Sequence, residues 1–312
     1  MSWVFLAVGA QLINAVVSLV DKYIVSDEKA LPRPFVYAFY TCLVSGGWIV
    51  IYALSLLPIH HIDGFTVPSL ANVVKPTLEV VALSLLAAYT LFLALISLFT
   101  GLRNADASDV VPVVGAVSAV GSFGMGYFFL DTQLSSNFLY GIALLAFGTF
   151  LVSRLRFPLS VAMNAIHSGV FFALYYVAIK GLFTVTSFDN GFFWSRVILM
   201  IFALTLLLVP TYFEKIREQT KKTTKKTGLF VLSNKLLAGV SSILILKATD
   251  LGDVAVVQAL GGLQFIFILL IGIVIGHRTP LSCGEGGCRT REVVQKAFFI
   301  ATIAIGFLIL FV

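Results

Sequence analysis

Gln11, Asn14 and Ser18 interrupt an apolar N-terminal run at spacings of three and four, which puts them on one face of a helix. Amides and hydroxyls so placed can hydrogen-bond a polar solute, and a polar stripe turned to lipid would be costly, so it faces protein or a cavity. Lys235, beside Ser233 and Asn234 and followed by Leu236 and Leu237, lies about two turns inside another apolar run. A cation there suggests an anionic group on the solute. The alternative is a stem that snorkels and leaves its ammonium among headgroups. His167, about two turns into a third run, can bind a solute or titrate near neutral pH, or simply hydrogen-bond within the protein. Gln258 shares a face with Gly261, Gly262 and Phe265, so an amide stands beside glycines that admit either a solute or a packed helix. Tyr89 and Tyr175 could add aromatic walls.

Other groups invite local explanations. Glu79 opens an apolar run, where a carboxylate complements the positive helix end, with proton coupling the sharper alternative. Arg196 lies beside Trp194 near the expected start of its run, an arrangement typical of an interfacial anchor.

No paired carboxylates, nucleophile with its base, or metal cluster falls within the apolar runs, so the chain does not read as an enzyme and no cofactor is expected. The phosphate-binding pattern G-x-x-x-x-G-K-[ST] is absent, which leaves ATP-driven pumping by this chain unsupported. His60 with His61, and Cys283 with Cys288, do not complete a four-ligand metal set. Three cysteines cannot form a disulfide framework for 312 residues. The glycines 121, 124 and 126 read as packing positions. Of the basic residues behind a net charge of +6, six crowd into 215–226, beside an apolar run. Anionic lipid headgroups are the expected partner of that segment, and nucleic acid is not.

The elements that must position these residues follow from composition. Hydrophobic residues make up 59% of the chain and charged ones 12%, about half the charge of an ordinary soluble domain. Crossing about 30 Å of hydrocarbon at about 1.5 Å per residue needs about 20 apolar residues. Ten such spans are predicted, at 2–20, 35–57, 79–99, 110–130, 137–153, 161–179, 191–212, 229–246, 254–275 and 294–312. Runs such as 256–275 and 297–312 are apolar on every face, which excludes the alternating pattern of a β-barrel. The first run lacks a preceding basic stretch and is read as a span, not a cleaved signal.

The spans fall into two similar halves. Asp106 and Asp109 before the fourth span match Asp250 and Asp253 before the ninth at an offset of 144, where Asp109 and Asp253 are expected to cap the new helices. An offset of 158 matches Lys22 with Lys180 and Gly148 with Gly306. The 14-residue difference falls in 278–292, an insertion rich in Gly, Cys and Arg. Two halves of five spans each must enter the membrane from opposite sides, which makes an inverted repeat of residues 1–157 and 158–312.

This organisation, with Ala-x-x-x-Asp or Asp-x-x-Asp before an apolar fourth span and a Gly-bearing fifth in each half, resembles the EamA-type members of the drug/metabolite transporter superfamily over essentially the whole chain. The resemblance implies an all-α integral membrane fold of ten transmembrane helices and a cavity lined by spans one, three, four, six, eight and nine. On it, Gln11, Asn14, Tyr89, His167, Tyr175, Lys235 and Gln258 could converge as a substrate-binding set. It also implies an acidic residue at the end of the fourth span, the place of Asp131, whereas Gly276, His277 and Arg278 interrupt the matching place in the second half.

The expected function is secondary transport of a small metabolite or amphipathic solute, coupled to an ion gradient or to exchange, in the cytoplasmic membrane of a prokaryote. The alternatives are a membrane-embedded enzyme and a non-transporting scaffold or sensor. Odd-numbered loops hold fifteen Lys and Arg, against three in loops two, six and eight. The charge rule thus puts both termini outside, and the family resemblance puts them inside. Monomer and homodimer both stay open.

Overall fold

The computed structural model describes residues 2–28, 30–56, 61–62, 65–66, 68–130, 140–141, 143–144 and 158–276. The helices are α1 (Ser2–Ser26), α2 (Pro34–Gly47), α3 (Leu78–Asn104), α4 (Ala107–Leu130) and α5 (Leu159–Val185), followed by α6 (Phe188–Thr205), α7 (Pro210–Lys222), α8 (Lys225–Leu251), α9 (Val254–Ala259) and α10 (Gly262–Gly276). Seven helices among the described residues are long and apolar enough to cross a bilayer. The chain is a multi-pass, all-α membrane protein.

Most of the fifth predicted span, the whole tenth, Gly148, Gly306, Asp131, His60, Cys283, Cys288 and the 278–292 insertion lie outside the described residues. His61 falls in a two-residue strand, β1 (His61–Ile62), paired antiparallel with β2 (Phe65–Thr66).

Helix starts follow local chemistry. Thr77 Oγ1 accepts from Val80 N at the head of α3, Ser187 Oγ from Asn190 N at α6, and Thr224 Oγ1 from Thr227 N at α8. Glu79 sits in the first turn of α3, as a helix-end carboxylate should. Asp253 caps α9 through Ala255 N and Val256 N. Its expected counterpart differs. α4 begins at Ala107, so Asp109 lies in the first turn and the carbonyl of Asp106 receives Asp109 N and Val110 N.

Several predicted spans are too short. α1 continues past Val20 to Ser26, and α8 runs from Lys225 to Leu251. The last turns carry Asp21, Lys22, Lys247 and Asp250, whose charges a hydropathy count reads as loop and whose partners the fold supplies. The ninth predicted span tightens part-way: α9 ends at Ala259 and α10 begins at Gly262, with Leu260 keeping a helical backbone between them. The basic segment 215–226, between two predicted spans, is largely helical. α7 is a short amphipathic helix whose Gln219 donates to the Ala30 carbonyl at 3.2 Å and whose Glu218 pairs with Arg33 at 2.7 Å.

α3 packs along α5, α8 along α1, α4 along α5, and α2 along α6, while α4 also meets α9 and α10. At the crossing of α4 and α5 a Cβ on Gly169 would stand 2.6 Å from Val117 Cβ and 2.9 Å from the Val114 carbonyl. Only glycine lets the backbones approach so closely, the packing mode that dispersion favours where lipid removes the hydrophobic drive.

A lysine secures each of the helix ends before α4 and α9. Lys22 at the end of α1 donates to the Leu102 carbonyl of α3 at 2.8 Å. Lys180 at the end of α5 donates to the carbonyls of Thr249, Asp250 and Gly252 at 2.8–3.0 Å. Each ammonium satisfies carbonyls that a helix C-terminus leaves open and meets the negative end of its dipole.

Candidate functional site

Asn14, Leu91, Phe172 and Ala238 are the midpoints of α1, α3, α5 and α8, and all four line one cavity of about 210 Å³. The cavity therefore lies at mid-span, enclosed by helices from both sequence halves.

α1 presents Gln11, Asn14, Ser18 and Asp21 to it. The polar stripe thus runs one step further than its first three members, at spacings of three, four and three. Gln264 on α10 holds this stripe, donating to the Asn14 carbonyl at 3.1 Å and to Ser18 Oγ at 2.7 Å. Leu91, Leu95 and Phe172, with the ring of Tyr176, add apolar surface to the lining.

At one end of the cavity Lys235 Nζ lies 2.8 Å from Asp21 Oδ1, with both side chains buried. The same oxygen accepts from Tyr37 OH at 2.5 Å and Asn234 Nδ2 at 2.6 Å. Three donors converge on that one carboxylate oxygen, and the ammonium rests 4.1 Å from the Tyr37 ring centroid and 4.9 Å from that of Phe99. Lys235 faces the cavity, as one of its two sequence readings held, but Asp21 neutralises it. Sequence reasoning missed Asp21 because the first span was ended at Val20. The spacing of the stripe was the signal that would have found it.

Part of the cavity wall is the tightened passage from α9 to α10. Gly261 N donates to the Gln258 carbonyl at 2.9 Å, Leu263 N to Leu260 and Gln264 N to Gly261, so the chain makes three-residue turns where α9 ends and α10 begins. A Cβ on Gly261 would stand 2.8 Å from the Gln258 carbonyl oxygen and 3.9 Å from Gln11 Nε2. Irregular backbone at membrane depth is tolerated where it lines a cavity or is buried in protein, and Gln258, Gly261 and Gln264 all line this one. Gln258 Oε1 accepts from Ser118 Oγ at 3.3 Å, while its Nε2 is buried without a partner among the described residues.

Of the seven residues expected to converge, Gln11, Asn14, Tyr175, Lys235 and Gln258 line the cavity. Tyr89 and His167 do not. Tyr89 is 51% exposed on the outer face of α3, two residues and so about 200° around the helix from the lining Leu91. His167 is exposed on α5, where its neighbour Ser168 is the inward residue and donates to the Ala94 carbonyl at 2.9 Å.

Arg196 is likewise not the interfacial anchor it resembled. α6 starts at Phe188 behind the Ser187 cap, so Arg196 lies eight residues in, about 12 Å along the axis, and is 2% exposed. Its Nη1 donates to Ser45 Oγ at 2.5 Å and its Nη2 to Tyr175 OH at 3.2 Å. Trp194 instead donates to the Val74 carbonyl at 2.8 Å, which helps tie the connection after α2 to the head of α6.

No family model and no curated protein matches this chain. A crystal structure described only as that of a protein superposes on it with a TM-score of 0.64 at 16% identity, over 99% of this chain and 96% of the other. That likeness is one of fold, shared across nearly the full length of both molecules.

Proposed function

We propose that this chain is a secondary transporter, not driven by ATP, which carries a small metabolite or amphipathic solute by alternating access across the cytoplasmic membrane of a prokaryote. On this reading it is an EamA-type member of the drug/metabolite transporter superfamily. Its ten spans form two inverted five-helix halves, 1–157 and 158–312, and a solute binds where the halves meet.

The observation that carries the proposal is the mid-span cavity with polar side chains on α1, α5, α8 and α9 and a tightened helix at Gly261 in its wall. A helix that tightens beside a midplane site between repeats is a milder form of the discontinuous helices that recur in secondary transporters. Two further features support the inverted halves. Lys22 and Lys180, matched in sequence, each bond backbone carbonyls at the helix end before α4 or α9, although the carbonyls reached are not the matching ones. The helix packing also exchanges partners between halves: α3 lies along α5, and α8 along α1.

The experiment is uptake into proteoliposomes of radiolabelled amino acids, nucleosides and amphipathic cations, with and without a proton gradient. Saturable uptake of at least one class, lost in Gly261→Val, is the expected result. Chemical conversion of a solute with no net flux would favour the membrane-enzyme alternative instead.

A further inference from the structure

Arg196 is a buried cation without a carboxylate. Among the described residues Lys235 pairs with Asp21, Lys247 with Asp250, and Arg33 and Lys222 with Glu218, while the partners of the Arg196 guanidinium are two neutral hydroxyls and the Phe192 ring, 4.9 Å away. Its Nε is buried with no partner among the described residues. With Asp21 and Lys235 paired, Arg196 is a buried charge beside the cavity that has no carboxylate in contact among the described residues.

The two hydroxyls transmit that charge inward. Ser45 and Tyr175 both line the cavity, and each uses a lone pair to accept from Arg196. Neither O–H proton has an acceptor among the described residues, so each is free to donate to a ligand. Gln258 adds a third donor, its unpartnered Nε2. Leu91 and Leu95 on α3, and Phe172 with the Tyr176 ring on α5, give the cavity apolar surface.

We infer that the cavity selects an organic monoanion: a carboxylate or similar oxyanion head read by Ser45 and Tyr175 in the field of Arg196, and an apolar body against α3 and α5. The inference rests on the cavity being the solute site. It replaces Lys235 with Arg196 as the group that sets the sign of the solute. A cation is rejected by the same charge, and a neutral amide gains no ionic term.

Phenylacetate, phenylacetamide and phenethylammonium share one body and differ in head charge. Their binding is measured by thermal shift on the purified chain in neutral detergent without added lipid, so that a soluble anion and not a lipid headgroup is the ligand. Phenylacetate is expected to bind about tenfold or more tightly than the amide, and the ammonium not at all. Arg196→Gln is expected to erase that preference and Arg196→Lys to retain part of it. Ser45→Asp provides an internal carboxylate for Arg196, so it is expected to abolish phenylacetate binding while keeping or raising the melting temperature.

Preference for the amide or the ammonium, an anion preference that survives both Arg196→Gln and Ser45→Asp, or no binding by any of the three would overturn the inference. Failure of the transport proposal is distinct. Anion binding without flux in proteoliposomes would overturn transport alone, and flux of a neutral or cationic solute without anion preference would overturn this inference alone.

Discussion

Asp21 Oδ1 and Lys235 Nζ stand 2.8 Å apart although 214 residues separate them in the chain, and this contact joins α1 to α8 at one end of the cavity. Removing one partner of a buried pair leaves the other charge stranded, which costs about 3–5 kcal/mol. Asp21→Asn and Lys235→Met are each expected to lower the melting temperature of the purified protein sharply. The double variant should recover most of the loss, because no charge is left unpaired. Thermal unfolding in detergent of the four proteins checks this. Additive losses would mean that the pair is not coupled.

Gly261→Val is expected to force α9 and α10 apart, since its Cβ would meet the Gln258 carbonyl oxygen at 2.8 Å, a backbone atom that cannot turn aside. Uptake should be lost while the helical content seen by circular dichroism persists. Gly124→Val meets open space and should leave both unchanged.

Lys180 reaches three terminal carbonyls and Lys22 one. Hydrogen bonds to charged groups contribute about 1.5–3 kcal/mol. Lys180→Met is therefore expected to destabilise by an amount in that range, and Lys22→Met by less, read as the difference in denaturation free energy. Equal losses would show that the extra carbonyls add nothing.

Glu218, exposed on α7, is held below the usual glutamate range by hydrogen bonds from Lys222 and Arg33 and by their charge. A carboxylate whose folded pKa is depressed stabilises above its unfolded pKa and loses that contribution as pH falls through the folded value. Amide hydrogen exchange in α7, corrected for intrinsic rates, should be slower in the wild type than in Glu218→Gln at pH 7. The two should converge below the ordinary glutamate range. The effect is small and fades with salt, as for any exposed pair.

How much of this was legible in the sequence depends on what each residue was set against. The polar stripe of α1 was visible because three hydrogen-bonding groups stood out from an apolar run, yet its fourth member, Asp21, was lost at a boundary drawn by hydropathy. Charged residues in the last turn of a span look like loop until the fold supplies a partner such as Lys235. Arg196 was misplaced for a related reason: the Ser187 cap starts α6 three residues before the expected Gly191, and an arginine near an aromatic then looks interfacial.

Tyr89 and His167 show a different limit. On a helix that is apolar all round, periodicity does not tell the cavity face from the lipid face, because lipid and protein interior are equally apolar. The small residues Ser168, Gly169 and Ala173 mark the packed side of α5, and they are what excludes His167 from it. The tightening at Gly261 was foreshadowed only as two adjacent glycines, which fit close packing as well as they fit an irregular turn.

Access to Ser242, a cavity-lining residue of α8, tests the central claim without knowledge of the solute. In a background with Cys42, Cys283 and Cys288 replaced by alanine, Ser242→Cys would be exposed to a membrane-impermeant thiol reagent in right-side-out and in inside-out vesicles. Alternating access expects labelling from both faces, with reaction from one face preventing later reaction from the other. Labelling from one face only, or from neither, would contradict it.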